Sequence, residues 1–178
     1  YGHPKLPGEA RGAGTTRPEL NAIRAAWNAQ KVLRAGVTAI SVPGGSWFTD
    51  VAVRDAIRIG LVEGPRVFAA GRMIATYGSI EDEDPSWEGT PDHSLGTLCN
   101  SAAEMVKEVR RQAKHGVNFV KLADSRSGDT QCISQAEMAA VVAEAHRRNI
   151  RVAIHSRGAG STRDAALAGL DWIIHADL

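Results

Sequence analysis

Amphipathic segments and short apolar segments alternate along most of this chain. The amphipathic segments have the periodicity of α-helices, and the apolar segments are rich in β-branched residues, as buried strands are. The first helix is predicted over residues 17–36 and ends in glycine, a common C-terminal cap, and its apolar positions at helical spacing are Leu20, Ile23, Trp27 and Leu33. The predicted strands are residues 37–42, 66–71, 118–125, 150–156 and 170–178.

Short polar residues predict where the other helices begin. A serine followed three positions later by an acidic residue has the spacing of a capping box, in which the two side chains satisfy backbone N–H groups of the first turn. The predicted helix starts are Ser101 with Glu104, Ser134 with Glu137 and Ser161 with Asp164, and either Thr49 or Asp50 is the predicted cap of the second helix.

Residues 75–100 interrupt the alternation with a polar, acidic and turn-rich sequence. We interpret this segment as a long loop, either functional or partly disordered, because it exceeds a simple connection. Elsewhere each strand follows a helix, which predicts a parallel α/β sheet with right-handed crossovers. Two architectures fit this pattern, an open doubly wound sheet and part of a (β/α)8 barrel. The length of 178 residues favours a single domain over residues 1–178.

Composition excludes several classes of function. A net charge of +1 gives no basis for binding nucleic acid or an anionic membrane surface, and no apolar run is long enough to span a bilayer. Cys99 and Cys132 match no metal-binding spacing, so we expect free thiols, with a disulfide as the alternative. The chain starts at Tyr1 without a secretory signal, which makes a cytoplasmic location the default expectation. A secreted or periplasmic location stays open because we expect the chain to be part of a longer protein.

One polar residue lies near the end of each of the last three predicted strands, namely Lys121, His155 and His175. Because side chains alternate along a strand, these residues are expected to share one face, while their apolar neighbours point under the helices. The neighbours expected on the same face are Phe119, Ala123, Ala153 and Ile173, and those expected opposite are Val120, Leu122, Val152, Ile154, Trp172 and Ile174. The polar residues would then meet at the open end of a barrel, where (β/α)8 enzymes hold their catalytic groups. The alternatives are structural histidines and a lysine that extends to solvent.

Several stretches of the chain are similar to the amidohydrolase superfamily. They are "LRAGVTAISVPGG", "GLVEGPRVFAAGRMI", "GVNFVKLADS", "EMAAVVAEAHRRNIRVAIHSRG" and "AALAGLDWIIHADL". Within the superfamily, the chain most resembles the branch that holds imidazolonepropionase-like enzymes, prolidase-like dipeptidases and Xaa-Arg/Lys carboxypeptidases. The resemblance implies a (β/α)8 TIM barrel of the metal-dependent hydrolase type, of which this chain carries about strands 2 to 6.

The resemblance also implies a site at the strand ends. Lys121 corresponds to the strand 4 lysine, which reacts with CO2 to form a carbamate that bridges two metal ions, usually Zn²⁺. His155 and His175 correspond to the strand 5 and strand 6 ligands of the second metal. The implied reaction is hydrolysis of a C–N bond by a metal-activated hydroxide, in a dipeptide-like or cyclic amide substrate. A carbamate is an anion that metal ions neutralise, which accounts for a lysine in an apolar strand.

The chain departs from the family pattern at other positions. The His-x-His pair of strand 1 and the aspartate of strand 8 are absent, since His3 stands alone and Asp177 lies two residues past His175. Where many relatives have a Gly-His pair after strand 3, this chain reads "TYGSIEDED". Tyr77 and His93 in the acidic loop are candidate substrate contacts, although a surface position suits both.

Two other interpretations of the same residues stay open. Lys121 in an apolar setting would also suit a barrel enzyme that forms a Schiff base with a carbonyl substrate. The chain would instead be an inactive scaffold if the missing strands 1, 7 and 8 are required for catalysis. An incomplete barrel exposes two sheet edges and an open core face, which favours association into a homo-oligomer.

Overall fold

Helices and strands alternate in the computed structural model, which describes residues 17–82, 95–125 and 130–176. The helices are α1 (Pro18–Arg34), α2 (Thr49–Arg58), α3 (Ala102–Lys114), α4 (Gln135–His146) and α5 (Ala159–Leu167), and a 3-10 turn at Ser46–Phe48 precedes α2. The strands are β1 (Ala39–Val42), β2 (Arg66–Ala69), β3 (Met73–Ala75), β4 (Gly96–Leu98), β5 (Phe119–Ala123), β6 (Arg151–Ser156) and β7 (Trp172–His175). His3, His93 and Asp177 lie outside the described residues.

The strand pairs of the described residues are parallel and form two sheets. β1 pairs with β2, and the second sheet has the order β4-β3-β5-β6-β7. β2 and β3 are consecutive in the chain, and the Asn118 N–H group beside β5 donates a hydrogen bond of 2.8 Å to the Ala69 carbonyl at the end of β2. The two sheets are therefore joined, and the predicted parallel α/β architecture is confirmed.

The segment 75–100 contains a strand, although the sequence pattern predicted a loop throughout. β4 pairs with β3 in register, with Ala75 opposite Leu98, and the Cys99 N–H group extends the pairing with a bond of 2.7 Å to the Ala75 carbonyl. β3 and β4 have 3 residues each, and a strand that short has too little alternation to be recognised from sequence.

The main hydrophobic core lies between the outer face of the strands and the helices. Its strand residues are Val42, Val67, Ala69, Ile74, Val120, Leu122, Val152 and Ile154, and its helix residues include Val51, Met105, Val109, Met138, Val141 and Ala165. A smaller cluster of Ala70, Phe119 and Ala153 covers the inner face, with Ile174 packed against it. Phe68 and Trp172 also point to the inner side, and each remains 44% exposed. The described residues therefore cover the inner face only in part.

The apolar stripe of α1 is largely exposed. Leu20, Ile23 and Trp27 all lie at the surface, whereas the buried residues of this helix are Arg24 and Ala29. Exposed apolar residues at helical spacing are unusual for a helix that packs on a core. α1 therefore carries an apolar surface that the described residues leave uncovered.

Both predicted starts that pair serine with glutamate are confirmed. The Ser101 hydroxyl accepts a hydrogen bond from the Glu104 N–H group. Ser134 and Glu137 form a complete capping box, in which each side chain accepts from the other residue's backbone. At the other end of a helix, Gly36 follows α1 with a φ of 88°, a backbone conformation that glycine adopts without strain.

The predicted start of α5 at Ser161 is wrong. The helix begins at Ala159, and Gly158 occupies the N-cap position. Ser161 lies inside the helix, where its hydroxyl donates to the buried Asp124 carboxylate. The Ser161 hydroxyl therefore binds a residue that is distant in the sequence instead of capping its own helix.

The predicted cap of α2 is also wrong. The helix begins at Thr49 and follows Phe48, whose backbone has a left-handed φ of 58°. Asp50, in the first turn, instead accepts a hydrogen bond of 2.8 Å from the Gly71 N–H group. Its carboxylate thus joins the start of α2 to the segment between β2 and β3.

Candidate active site

Lys121, His155 and His175 line one cavity at the inner side of the strand ends. The cavity has a volume of about 780 Å³. Its described lining residues come from α1, β1, β3, β5, β6, β7 and the loop after β3, and they include Ile40, Met73, Ile80, Glu81, Leu95 and Ile174. The structure therefore brings together the three residues singled out at the ends of the last three predicted strands.

Lys121 is buried in the centre of β5, with only 2% of the residue exposed. Its Nζ atom has no hydrogen-bond partner among the described residues. Burial lowers the pKa of Lys121 to about 7, and electrostatic attraction to Glu81 opposes this shift. Near neutral pH a large fraction of this side chain is consequently an uncharged amine, the form that reacts as a nucleophile.

His155 lies near the end of β6, where its register partner is Ala123, two residues past Lys121 in β5. Burial and, to a smaller extent, repulsion from Lys121 and His175 lower the pKa of His155 to about 4, while a backbone hydrogen bond with Ser125 opposes the shift. The Nε2 atom is buried without a partner among the described residues. A neutral imidazole with a free ring nitrogen is the state in which histidine binds metal ions.

His175 reaches the same cavity by a different backbone path. Its ring centroid lies 4.5 Å from that of His155, with the ring planes at 69°. The predicted alternation in β7 is wrong, because Trp172 packs edge-on against Phe119 on the inner face and Ile173 packs against the outer core. His175 still faces the cavity because its backbone has a positive φ of 80°, which ends the strand and breaks the alternation.

Asp124 fixes the chain just beyond Lys121. This residue is fully buried, and its Oδ1 atom accepts hydrogen bonds of 2.7 Å and 2.9 Å from the N–H groups of Cys132 and Ile133. Its other oxygen accepts from the Ser161 hydroxyl in α5. Its N–H group donates to the His155 carbonyl at 3.2 Å. Asp124 therefore connects the end of β5 with β6, with α5 and with the segment that leads into α4.

The two weaker candidates for substrate contact fall outside the cavity or outside the described residues. Tyr77 is 69% exposed and does not line the cavity, and its N–H group donates to the Asn100 side chain at 3.0 Å. His93 lies in the segment that the structure does not describe. The loop contributes Glu81 to the cavity instead, a residue that the sequence pattern marks only as part of an acidic run.

The donor atoms at the site would fit a divalent metal ion if Lys121 were carbamylated, because a carbamate would add oxygen ligands to the two imidazoles. Among the described residues, no group of three or more His, Cys, Asp or Glu side chains is arranged to hold a metal ion. Cys99 and Cys132 are free thiols, as predicted, and Cys132 does not line the cavity. Within the described lining of the cavity, two buried nitrogen atoms have no hydrogen-bond partner, Lys121 Nζ and His155 Nε2, and a carbamate and a metal ion would satisfy them.

None of the helices in the described part of the chain combines the length and apolar character that a membrane-spanning segment requires.

Solved structures with the same fold include several hydrolases. A Xaa-Pro dipeptidase with bound methionine has 29% sequence identity and a TM-score of 0.80, over 93% of this chain and 43% of its own. An amidohydrolase has 26% identity and a TM-score of 0.75, over 90% of this chain and 42% of its own. Ochratoxinase from A. niger, at 21% identity and a TM-score of 0.79, shares the fold over 90% of this chain and 41% of its own.

The chain thus spans less than half the length of these structures, as expected for part of a (β/α)8 barrel. No curated protein shows significant sequence similarity to it. The model of the amidohydrolase family matches residues 8–176, which is nearly the whole chain. The chain belongs to the amidohydrolase family.

Proposed function

We propose that the protein is a metal-dependent hydrolase that cleaves a C–N bond in a dipeptide-like or cyclic amide substrate. The observation that carries this proposal is the pair of buried nitrogen atoms on one cavity, Lys121 Nζ and His155 Nε2, which have no hydrogen-bond partner in the part of the chain that the structure describes. Family membership and the similarity to a Xaa-Pro dipeptidase and another amidohydrolase support the same reaction class.

Lys121 is the proposed site of carbamylation. CO2 reacts with an uncharged amine, and burial supplies that form by lowering the pKa of Lys121 to about 7. The resulting carbamate is an anion with two oxygen atoms, so it offers ligands that a primary amine lacks. His155 and His175 contribute imidazole nitrogens on the other side of the cavity, and their ring centroids are 4.5 Å apart.

The proposed cofactors are two divalent metal ions, with Zn²⁺ favoured because oxygen and imidazole donors both suit it. Such ions, when bound, activate water and polarise a carbonyl group. The chain's own residues hold the ligands in place: β5 fixes Lys121, β6 fixes His155, and Asp124 locks the two strand ends together. His175 completes the set from the positive-φ end of β7.

The proposed substrate is a small molecule. A cavity of about 780 Å³ lined mainly by apolar side chains is within the range of small-molecule sites in proteins. The net charge of +1 provides no electrostatic reason to expect nucleic acid or a membrane surface as a partner. The uncovered inner face and the exposed stripe of α1 make association with a second copy a reasonable expectation for residues 1–178 alone.

The decisive experiment replaces Lys121 with alanine in the full-length protein. We expect bound zinc to fall and hydrolysis of dipeptides to drop by about a thousandfold, as when a main electrostatic group of a catalytic site is removed. Added acetate should restore part of both, because it supplies a carboxylate in the space the side chain leaves. Lys107→Ala, an exposed position on α3, is the matched control and should change neither. Unchanged metal content and activity in Lys121→Ala would refute the proposal.

The alternative is a barrel enzyme in which Lys121 forms a Schiff base with a carbonyl substrate. The same burial favours it, because an amine with a pKa of about 7 is a competent nucleophile. Borohydride reduction distinguishes the Schiff-base enzyme from the hydrolase. The protein is reduced in the presence of small aldehydes or ketones and then examined by mass spectrometry. A covalent adduct on Lys121 supports the alternative, and its absence together with bound zinc supports the hydrolase.

A third possibility is that residues 1–178 act only as a scaffold. The chain covers 43% of the Xaa-Pro dipeptidase structure. A catalytic group in the remainder of such a barrel is therefore not among residues 1–178. Hydrolysis of dipeptides by residues 1–178 alone with added zinc would exclude the scaffold function. We expect this isolated segment to be inactive.

A further inference from the structure

Ser156, the last residue of β6, is adjacent to both candidate imidazole ligands. It follows His155 in the sequence, and it is the register partner of His175 in the pairing of β6 with β7. The residue is completely buried. Any contact that holds Ser156 in place therefore affects the backbone position of both histidines.

The Ser156 side chain points to the helices and not to the cavity. Side chains alternate along a strand, so Ser156 and His155 face opposite sides of β6. The Ser156 hydroxyl donates a hydrogen bond of 2.9 Å to the Ser161 hydroxyl, and its oxygen atom lies 2.9 Å from the Thr162 hydroxyl oxygen. Both partners belong to the first turn of α5. The Ser156 hydroxyl therefore attaches the end of β6 to α5.

These hydroxyl groups form a directed chain that ends at a buried carboxylate. The Ser161 hydroxyl donates its hydrogen to Asp124. A hydroxyl group has only one hydrogen, so the Ser161 oxygen accepts from Ser156, and Ser156 in turn accepts from Thr162. Hydrogen bonds in such a buried chain strengthen one another. The position of the Ser156 hydroxyl is therefore tied to the same carboxylate that fixes the end of β5.

The backbone of Ser156 supports the turn at the end of β7. The Ala176 N–H group donates a hydrogen bond of 2.9 Å to the Ser156 carbonyl. His175 and Ala176 both have positive φ values, 80° and 49°, which residues with a side chain seldom adopt. A backbone conformation of this kind persists only where neighbouring contacts hold it. The hydrogen bond to Ser156 is one such contact, next to the residue that turns the His175 ring into the cavity.

We propose that Ser156 is a positioning residue that sets the separation of the His155 and His175 rings, whose centroids are 4.5 Å apart. The inference rests on the proposed hydrolase function, in which both imidazoles bind a metal ion. Ser156 does not line the cavity, so it acts through its anchored side chain on β6 and through its carbonyl on β7. Imidazole nitrogens bind zinc at about 2 Å, and a small shift of either strand end is therefore enough to weaken binding.

The first measurement uses the full-length, EDTA-treated protein with isotopically labelled histidine. Rings whose centroids are 4.5 Å apart give a nuclear Overhauser effect between the protons of His155 and His175. Ser156→Ala removes the hydroxyl and leaves the carbonyl, and we expect this variant to lose most of the intensity. Ser161→Ala removes one partner of the hydroxyl and leaves Thr162, so we expect a smaller loss.

The second measurement is the zinc affinity of the same proteins, determined by competition with a chelator. We expect Ser156→Ala to bind zinc about tenfold more weakly, as when a group that orients a metal-binding histidine is removed. Ser156→Thr keeps the hydroxyl and has a side chain that suits a strand, so it should retain both the ring contact and the zinc affinity.

Ser101→Ala is the matched control, because it removes the serine hydroxyl that caps α3. It should lose stability without changing the ring contact or the zinc affinity, which separates general destabilisation from displaced imidazoles. No ring contact in the unaltered protein, an unchanged one in Ser156→Ala, or an equal loss in Ser101→Ala or Ser156→Thr would each overturn the inference. If the unaltered protein binds zinc, an unchanged affinity in Ser156→Ala would also overturn it. A ring contact that depends on Ser156 in a protein that binds no zinc contradicts only the proposed function.

Discussion

Lys121 shows how much a single residue can reveal through its sequence context alone. Burying a charged lysine costs free energy when its neighbours are as apolar as Phe119, Val120, Leu122 and Ala123. All five positions of β5 are nevertheless buried. The conflict between residue type and strand pattern was therefore visible in the sequence. The sequence does not reveal that Glu81 lies on the same cavity as Lys121. This placement depends on how the loop after β3 folds back to Asp124.

The metal-free, carbamate-free protein should become more stable as the pH rises from about 7 towards 10. In this range the unfolded Lys121 still binds a proton, whereas the folded side chain, with a pKa of about 7, has released it. The free energy of unfolding then rises by about 1.4 kcal/mol per pH unit from this group. Urea unfolding of the EDTA-treated protein at several pH values measures the slope.

Lys121→Met is the control for this dependence. The variant keeps an unbranched side chain of similar length and removes the titrating group, so its stability should rise less steeply over the same pH range. At pH 7 and below it should also be the more stable protein, because no ammonium is buried. Equal slopes for both proteins would mean that Lys121 titrates normally in the folded state.

Among the elements, those with long and regular patterns were predicted and those with short or irregular ones were not. α3 and α4, with 13 and 12 residues, were recognised together with their serine caps. β3 and β4 were missed because strands of 3 residues carry almost no periodicity. The face of β7 was assigned wrongly because one left-handed residue, His175, reverses the alternation, and a backbone dihedral angle is not encoded in the hydrophobic pattern.

Ser134→Ala should destabilise the protein by about 1 kcal/mol. The change removes the acceptor of the Glu137 N–H group and half of the capping box of α4, while leaving the site residues in place. Ser134→Thr retains the hydroxyl and should lose much less. Chemical denaturation of both variants measures the difference, and a stability of Ser134→Ala equal to that of the unaltered protein would show that the cap contributes nothing.

Asp124→Ala should have a larger effect, a loss of about 3 kcal/mol, because it leaves buried donors unsatisfied. The groups that lose their acceptor are the N–H groups of Cys132 and Ile133 and the Ser161 hydroxyl. Asp124→Asn keeps one carbonyl oxygen for the two N–H groups and should lose about half as much. Denaturation curves compare the two variants. Equal stabilities of Asp124→Ala and Asp124→Asn would show that the oxygen atom retained by asparagine does not stabilise the protein.

At the scale of the molecule, helices cover the outer face of the strands, whereas the described residues leave part of the inner face uncovered. The outer core has fully buried residues from strands and helices, such as Leu122, Val141 and Ile154. On the inner side Phe68 and Trp172 are 44% exposed, although they occupy strand positions that a closed barrel would cover. An open inner face is what the sequence predicts, because the resemblance to the family implies that the chain carries only about strands 2 to 6 of the barrel.

Residues 1–178 expressed alone should associate at micromolar concentration. The driving force is the exposed apolar surface formed by the inner face and by the stripe of α1. Phe68→Ser with Trp172→Ser should weaken the association and change the stability of the monomer little, because both side chains are already half exposed. Sedimentation velocity at several concentrations measures this, and a monomer at all concentrations would contradict the prediction.

The contact between Gly96 and Glu81 has an evolutionary consequence. While the glutamate stem lies on the sheet, position 96 tolerates no side chain, because even a methyl group would stand 2.7 Å from it. Relatives with glycine in place of Glu81 escape this restriction, because every other residue has the Cβ atom that makes the contact. Across an alignment of such relatives, the two positions should therefore covary, with a side chain at position 96 only where position 81 is glycine.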